Sequence, residues 1–256
     1  MKLHAQHFSG TKMPLVILHG FLGMSDNWKT HAKKFCEQGF DVYVVDQRNH
    51  GRSPHSLDFS YNDLSEDLLE FCDTHNLESI YLLGHSMGGK VAMEFACKYP
   101  ERVRKLIVAD IGPKFYPEHH QQILKALNEL EKAPIPSRTY ADEFLKKYIS
   151  EVGVRQFLLK NLFRDANKEL KLRVGLKTLT DKYSEIGKAL CEKASFENET
   201  LFLKGDASNY ILETDLPLLA HHFPNYTLKE ISKAGHWLHA ENPIQFYNDC
   251  IEFLEN

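Results

Sequence analysis

No stretch of this chain approaches the ~18 consecutive apolar residues that a membrane-spanning helix requires. The opening Met1-Lys2-Leu3-His4-Ala5-Gln6 also lacks an apolar signal core. No membrane span is expected, and a cytoplasmic location is. Cysteine is sparse: Cys36, Cys72, Cys97, Cys191 and Cys250 are odd in number, widely spaced and form no CxxC pair. That spacing fits neither a disulfide framework nor a zinc site, and leaves free thiols packed along helices. A basic excess is missing too, since 31 Lys and Arg face 35 Asp and Glu for a net charge of −4. This argues against a dedicated nucleic-acid binder. The Walker lysine and the GxGxxG spacing of phosphate loops are absent, as are internal repeats and low-complexity tracts.

What is present is an ordinary globular composition, with 43% hydrophobic and 26% charged residues over 256 positions. A chain of this length buries roughly 70–75% of its unfolded surface, enough for a large core. Short apolar runs alternate with amphipathic stretches. Leu15 to Leu18, Val42 to Val45, Ile80 to Leu83 and Leu106 to Ala109 read as strands buried on both faces. Thr30 to Gln38, Asn62 to His75 and Met87 to Tyr99 read as helices, the last stopped by Pro100. This rhythm predicts an α/β fold: a mostly parallel, twisted sheet with helices on both faces.

The rhythm breaks after Asp110. From 113 to 197 helical patterns dominate, beginning with Ile123, Leu124, Leu127 and Leu130 on one face of Glu118 to Ala133. Thr139 and Asp142 suggest a capping box, and Leu170 to Val174 a short ribbon. Strand patterns resume at Thr200 to Lys204 and Tyr226 to Ile231, followed by a helix from Pro243 to Leu254. The expected organisation is one core domain, 1–112 with 198–256, interrupted by a helical segment over 113–197.

The sharpest motif is Gly84-His85-Ser86-Met87-Gly88-Gly89, a G-x-S-x-G placed directly between a strand and a helix. This is the context of a nucleophile elbow, in which a tight turn raises the serine at the carboxyl edge of the sheet. Small residues two positions to either side relieve the crowding. An inert Gly-rich turn is the competing reading, and the strand–helix context disfavours it. A serine hydroxyl needs a base within hydrogen-bond reach. Among 14 histidines, His236 in Gly235-His236-Trp237 is selected because a short loop after the last strand brings it to the same edge. His239 is read instead as a helix-entry residue, and His119-His120 and His221-His222 as surface pairs. His19-Gly20-Phe21-Leu22-Gly23 follows the first strong strand, where backbone N–H groups can face developing negative charge. Phe21 and Met87 are the expected oxyanion donors, with His19 holding its loop. Asp46, Arg48 and His50 are read as loop ties, in preference to Arg48 as a substrate clamp. His50 and His55 have no evident partners for a metal.

Together these motifs resemble the α/β-hydrolase superfamily over the whole chain. Asp46-Gln47-Arg48-Asn49-His50-Gly51-Arg52-Ser53, Asp110-Ile111-Gly112-Pro113 and Ser208-Asn209-Tyr210 are further similar to YbfF-type bacterial esterases. The resemblance implies that 113–197 is a cap inserted after the sixth strand, with Phe115, Phe144, Tyr148, Phe157 and Phe163 partly available to line a pocket, most of them fitting the core of the cap equally well. Many relatives place the third catalytic residue, a carboxylate, three positions beyond a glycine ending the next strand. Here that glycine is Gly205 and the position holds Ser208. Two carboxylates remain: Asp110, which ends a buried strand at the edge carrying Ser86, and Asp206. The similarity to YbfF-type esterases favours Asp110.

The implied activity is that of a serine carboxylesterase or thioesterase. It would act on small to medium acyl esters or acyl-CoA thioesters, with no cofactor or metal required. A carbon–carbon bond hydrolase or lyase is the first alternative, since His19 to Gly23 also resembles the menaquinone-pathway lyase; Ser208 counts against it. A non-catalytic ligand receptor on the same scaffold is the second.

Overall fold

The computed structural model describes residues 1–256. Strands β1 (Ala5–Phe8), β2 (Lys12–Leu18), β3 (Phe40–Val45), β4 (Ile80–His85) and β5 (Val103–Ala109) alternate with helices α1 (Lys29–Glu37), α2 (Tyr61–Thr74) and α3 (Met87–Lys98). A largely helical segment follows, made of α4 (Gln121–Glu131), α5 (Arg138–Lys146) and α6 (Val152–Leu159), the ribbon β6 (Leu162–Arg164) with β7 (Leu170–Leu172), then α7 (Leu176–Asp181) and α8 (Tyr183–Ile186). The chain returns through β8 (Thr200–Gly205), α9 (Leu216–His222), β9 (Tyr226–Ile231), α10 (Leu238–Glu241) and α11 (Pro243–Glu255).

Seven strands form one sheet in the order β1-β3-β2-β4-β5-β8-β9, with every neighbouring pair parallel except β1 with β3. The central strands bury both faces because alternate side chains enter different layers. Val16, Leu18, Val45 and Leu82 meet α2 and α3 on one side; Leu15, Ile17, Val44 and Leu83 meet α1 and α11 on the other. The buried apolar residues of 113–197, such as Leu127, Leu145 and Leu158, belong to the first of these layers.

Two expectations need correction. In chain order Val103–Ala109 is the fifth strand, not the sixth, because a single strand precedes β2. That strand, Ala5–Phe8, carries no apolar run; it is an edge strand held by its backbone pairing with Val42–Val45. Helix α5 is capped by Ser137, whose side chain accepts from the Tyr140 N–H at 3.0 Å. Asp142 is instead drawn into an ion pair with Arg155 at 2.9 Å.

The topology fixes where chemistry can occur. From β2 the chain moves outward to β3, then crosses back over β2 to β4, so the loops leaving β2 and β4 diverge. A crevice opens at such a switch point, beyond the carboxyl ends of the strands. The register aligns those ends: Leu18 lies beside Gly84, His85 beside Ala109, and Ala109 beside Leu203.

Arg48, at the exit of β3, helps to anchor this edge. Its guanidinium makes a two-point contact with Asp67 of α2, Nε to Oδ2 at 2.6 Å and Nη2 to Oδ1 at 2.9 Å, and donates to the Asp58 carbonyl at 2.9 Å. Both side chains are buried, so Arg48 is a loop tie and not exposed to a ligand. Removing one partner of such a pair strands a charge. Asp67→Ala should lower stability by about 3 kcal/mol in urea unfolding; an effect below about 1 kcal/mol would show the tie to be dispensable.

Candidate active site

Ser86 stands between β4 and α3 with φ +54° and ψ −120°, a conformation that L-residues rarely adopt. The turn tolerates it only because its flanks are bare. A Cβ on Gly84 would fall 2.2 Å from the Gly88 carbonyl oxygen, and one on Gly88 would fall 2.4 Å from that of Leu18. The Ser86 N–H donates to the Ala109 carbonyl at 3.0 Å, fastening the elbow to the neighbouring strand.

His236 arrives from the loop after β9. Its Nε2 lies 2.9 Å from Ser86 Oγ and its Nδ1 lies 2.8 Å from Asp110 Oδ2. The carboxylate can only accept, so Nδ1 carries the proton and Nε2 presents its lone pair to the serine hydroxyl. Tyr210 stacks on the imidazole at 3.9 Å between centroids, and the His236 carbonyl accepts from His85 Nε2 at 2.8 Å. Asp110 is fully enclosed and also has a left-handed backbone, with φ +50°. Its Oδ1 accepts from the Gly205 N–H at 3.1 Å and its Oδ2 from the Ser208 hydroxyl at 2.5 Å.

Asp206 takes no part in this chain. It is exposed and accepts from the Lys233 N–H at 2.7 Å and the Ala234 N–H at 2.9 Å, bonds that hold its carboxyl below the usual range. Its effect is to shape the turn that leads into His236. His239 stacks on Trp28 at 4.4 Å and makes no hydrogen bond to Ser86. The histidine pairs divide, contrary to expectation: His119 and His221 are exposed, but His222 is buried against the Ala194 carbonyl at 2.6 Å, and His120 faces the cavity beside Ser86. Helical and loop geometry sends adjacent side chains to different faces, so one of each pair turns inward.

Phe21 and Met87 flank the serine. The Phe21 N–H has no acceptor within the protein, and Met87 opens α3, where leading N–H groups lack intrahelical partners. The Phe21 loop presses close, since a Cβ on Gly20 would lie 3.3 Å from that of Ser86. Two buried imidazoles shape it. His19 donates from Nδ1 to the Gly20 carbonyl at 2.8 Å and accepts the Gln47 N–H at Nε2, 3.1 Å away. His50 donates from Nδ1 to the Arg48 carbonyl at 2.9 Å and accepts the Leu22 N–H at Nε2, 3.2 Å away. Leu22 itself sits at φ +59°, and its carbonyl is held from the other side by Asn161 Nδ2 at 2.9 Å. Nothing in the sequence motif flags Asn161, which lies 139 positions away.

A cavity of about 550 Å³ opens in front of Ser86 and His236. Of the five aromatics expected to line it, only Phe157 does. Phe144 and Tyr148 pack against the core, Phe115 is exposed, and Phe163 lies under the Arg173 guanidinium. Ile123, Val154, Leu158, Trp237 and Tyr210 are among the other apolar residues of its wall, with Gln156, Lys160 and Glu241 adding polar groups.

Residues 13–243 match a family described as alpha/beta hydrolase fold. The chain belongs to the α/β-hydrolase family. It is 36% identical over 253 residues to the sn-1-specific diacylglycerol lipase ABHD11 of Danio rerio, covering 96% of this chain and 80% of that protein. Esterase YbfF of Escherichia coli (strain K12) is 32% identical over 232 residues, 90% of this chain and 88% of that one. A solved structure described as a marine microorganism esterase superposes with a TM-score of 0.95 at 39% identity, covering 98% of this chain and 99% of its own. The YbfF-type resemblance therefore stands.

Two expectations follow for this α/β-hydrolase. If Asn161 positions the Phe21–Leu22 backbone, then Asn161→Ala and the isosteric, donor-less Asn161→Asp should each lower kcat about 3–10-fold, the worth of one hydrogen bond, with KM little changed. A fall in KM-controlled binding alone would contradict that role. The second concerns acid. Burial holds His50 and His85 neutral, with values lowered from 6.5 to about 3. The unfolded chain takes up these protons first, so stability is intact above about 6.5 and is lost as pH falls towards about 3. The slope should approach about 1.4 kcal/mol per pH unit for each histidine, read from urea midpoints between pH 7 and pH 4.

Proposed function

We propose that this α/β-hydrolase is a serine esterase acting on small-molecule acyl esters, thioesters included. The observation that carries the reading is the unbroken hydrogen-bonded chain from Ser86 through His236 to Asp110, at a switch-point crevice with two free backbone donors beside it. The names of the similar proteins, esterases and a diacylglycerol lipase, support the same class.

In this mechanism His236 Nε2 takes the Ser86 proton as Oγ attacks the acyl carbon, and the carbonyl oxygen becomes an oxyanion facing the Phe21 and Met87 N–H groups. The imidazolium formed is stabilised by Asp110 and then gives its proton to the departing alcohol or thiol. A water, deprotonated by the same imidazole, attacks the acyl-Ser86 ester and releases the acid and the free serine. Net, one water is consumed and one acid and one alcohol or thiol are formed. Removing one oxyanion donor costs about 10²–10³ in kcat in comparable sites, so the loop geometry matters as much as the base. The 113–197 segment, as a cap over the crevice, sets substrate choice through the cavity wall.

A fluorophosphonate probe should label the wild-type protein and leave Ser86→Ala unlabelled. Asp110→Asn should lower kcat on aryl esters by on the order of 10⁴, whereas Asp206→Asn, which alters only a turn, should stay within about tenfold of wild type. Absence of labelling would favour a receptor, and the reverse ranking of the two aspartates would overturn the assignment of the acid.

A further inference from the structure

A second recess borders Ser86 and is not lined by His236. It has room for about 20 Å³, against about 550 Å³ for the main cavity. Phe21, Ser86, His120 and Tyr210 line both spaces. His236 and Trp237 line only the large one, and Met87, Tyr183 and Ile186 only the small one. The serine therefore sits on the boundary between two spaces of very unequal size.

Given Ser86 as nucleophile, stereochemistry assigns each space. The tetrahedral carbon carries Ser86 Oγ, the oxyanion, the departing heteroatom and the acyl substituent. The departing atom must receive a proton from His236, so the group attached to it lies in the cavity that His236 lines. The oxyanion faces the Phe21 and Met87 N–H groups. The acyl substituent is left pointing into the recess bordered by Met87, from which His236 is absent. A void of this size holds about one water-sized group. We propose that the recess is the acyl subsite and that it restricts the enzyme to acetyl-sized acyl groups carried on bulky, largely apolar alcohols or thiols.

The walls of the recess are braced against widening. The Tyr61 hydroxyl donates to the Ile186 carbonyl at 2.6 Å, and the Tyr183 hydroxyl accepts the His119 N–H at 2.9 Å and that of His120 at 2.5 Å. The Tyr116 hydroxyl donates to the Tyr210 carbonyl at 2.7 Å and accepts the Gly112 N–H at 2.8 Å. Two residues beyond Ile186, the Lys188 carbonyl accepts from the buried Lys90 ammonium at 2.8 Å, which also donates to the Lys114 carbonyl. Widening the recess for a longer acyl chain would strain these part-buried bonds, and each one lost costs free energy. The large cavity lies within the usual range for a drug-sized ligand.

The test is a two-way series. Along one axis p-nitrophenyl esters run from acetate through butyrate to octanoate; along the other, acetates run from phenyl to naphthyl. Fluorophosphonate labelling is followed in parallel. The expected result is a fall in kcat/KM of roughly tenfold or more for each methylene beyond the first that fits, as a filled pocket imposes. The acetate series should vary only a few-fold. Ile186→Ala, a half-buried wall residue, should raise the butyrate-to-acetate ratio about tenfold, while Phe157→Ala should alter the alcohol series and leave that ratio unchanged. A labelled enzyme that prefers octanoate, or an Ile186→Ala ratio equal to that of wild type, overturns the subsite assignment alone. An unlabelled protein inert towards every ester overturns both it and the esterase reading on which it rests.

Discussion

The site depends on one buried carboxylate being fully satisfied. Asp110 is removed from water, a placement that costs several kcal/mol unless hydrogen bonds replace the lost hydration. Three donors replace it: the Gly205 N–H, the Ser208 hydroxyl and His236 Nδ1. Two of these come from the edge of β8 and one from the loop after β9, so the carboxylate is the point at which three chain segments meet. Its backbone has a positive φ, and its carboxyl meets groups at the end of β8 and in the loops after β8 and β9. The imidazole tautomer, and with it the lone pair available to Ser86, follows from this arrangement.

The loop carrying Phe21 is fixed by the same kind of economy. His19 and His50 are each neutral, each a donor at Nδ1 and an acceptor at Nε2, and each bridges two backbone groups, of which only the Gly20 carbonyl has another partner, the Gly23 N–H at 3.0 Å. Burial makes the neutral form the stable one, so the polarity that orders the loop near neutrality is what acid removes. Asn161 closes the bracket from the other side. Residues 113–197 are thereby joined to the chemistry through a hydrogen bond as well as through the continuous apolar layer they share with α2 and α3.

Much of this was legible in the sequence because it rests on local rules. Buried parallel strands show as apolar runs, and Gly84 and Gly88 mark the elbow because any Cβ there meets a backbone carbonyl within 2.4 Å. Strand β1 was not legible, since Ala5–Phe8 has no apolar pattern and exists through its partner. The cap of α5 is Ser137, with Thr139 already inside the helix, and Asp142 pairs instead with Arg155, a contact between helices that spacing cannot reveal. Phe157 could not be separated from Phe144 or Tyr148 for the same reason: Phe144 and Phe157 lie on amphipathic helices and Tyr148 in the turn just after α5, and only packing decides which of them meets the cavity. Ser208 was visible as a departure, but its role as donor to Asp110 is a relation across 98 positions.

That departure has a simple geometric basis. Strands β5 and β8 are parallel neighbours in register, Ala109 beside Leu203, and adjacent strands lie about 4.8 Å apart. A carboxylate raised from the end of either strand can therefore reach the same imidazole. As the proposed base, His236 needs one oriented acceptor at Nδ1, not an acceptor from a given strand. When the acid stands at the end of β5, the position in the β8 loop must supply a donor to it, because a second carboxylate there would repel the first. A small hydroxyl meets that demand. Ser208 and Asp110 are thus two halves of one solution, and the missing carboxylate after Gly205 is the consequence of the one already placed next door.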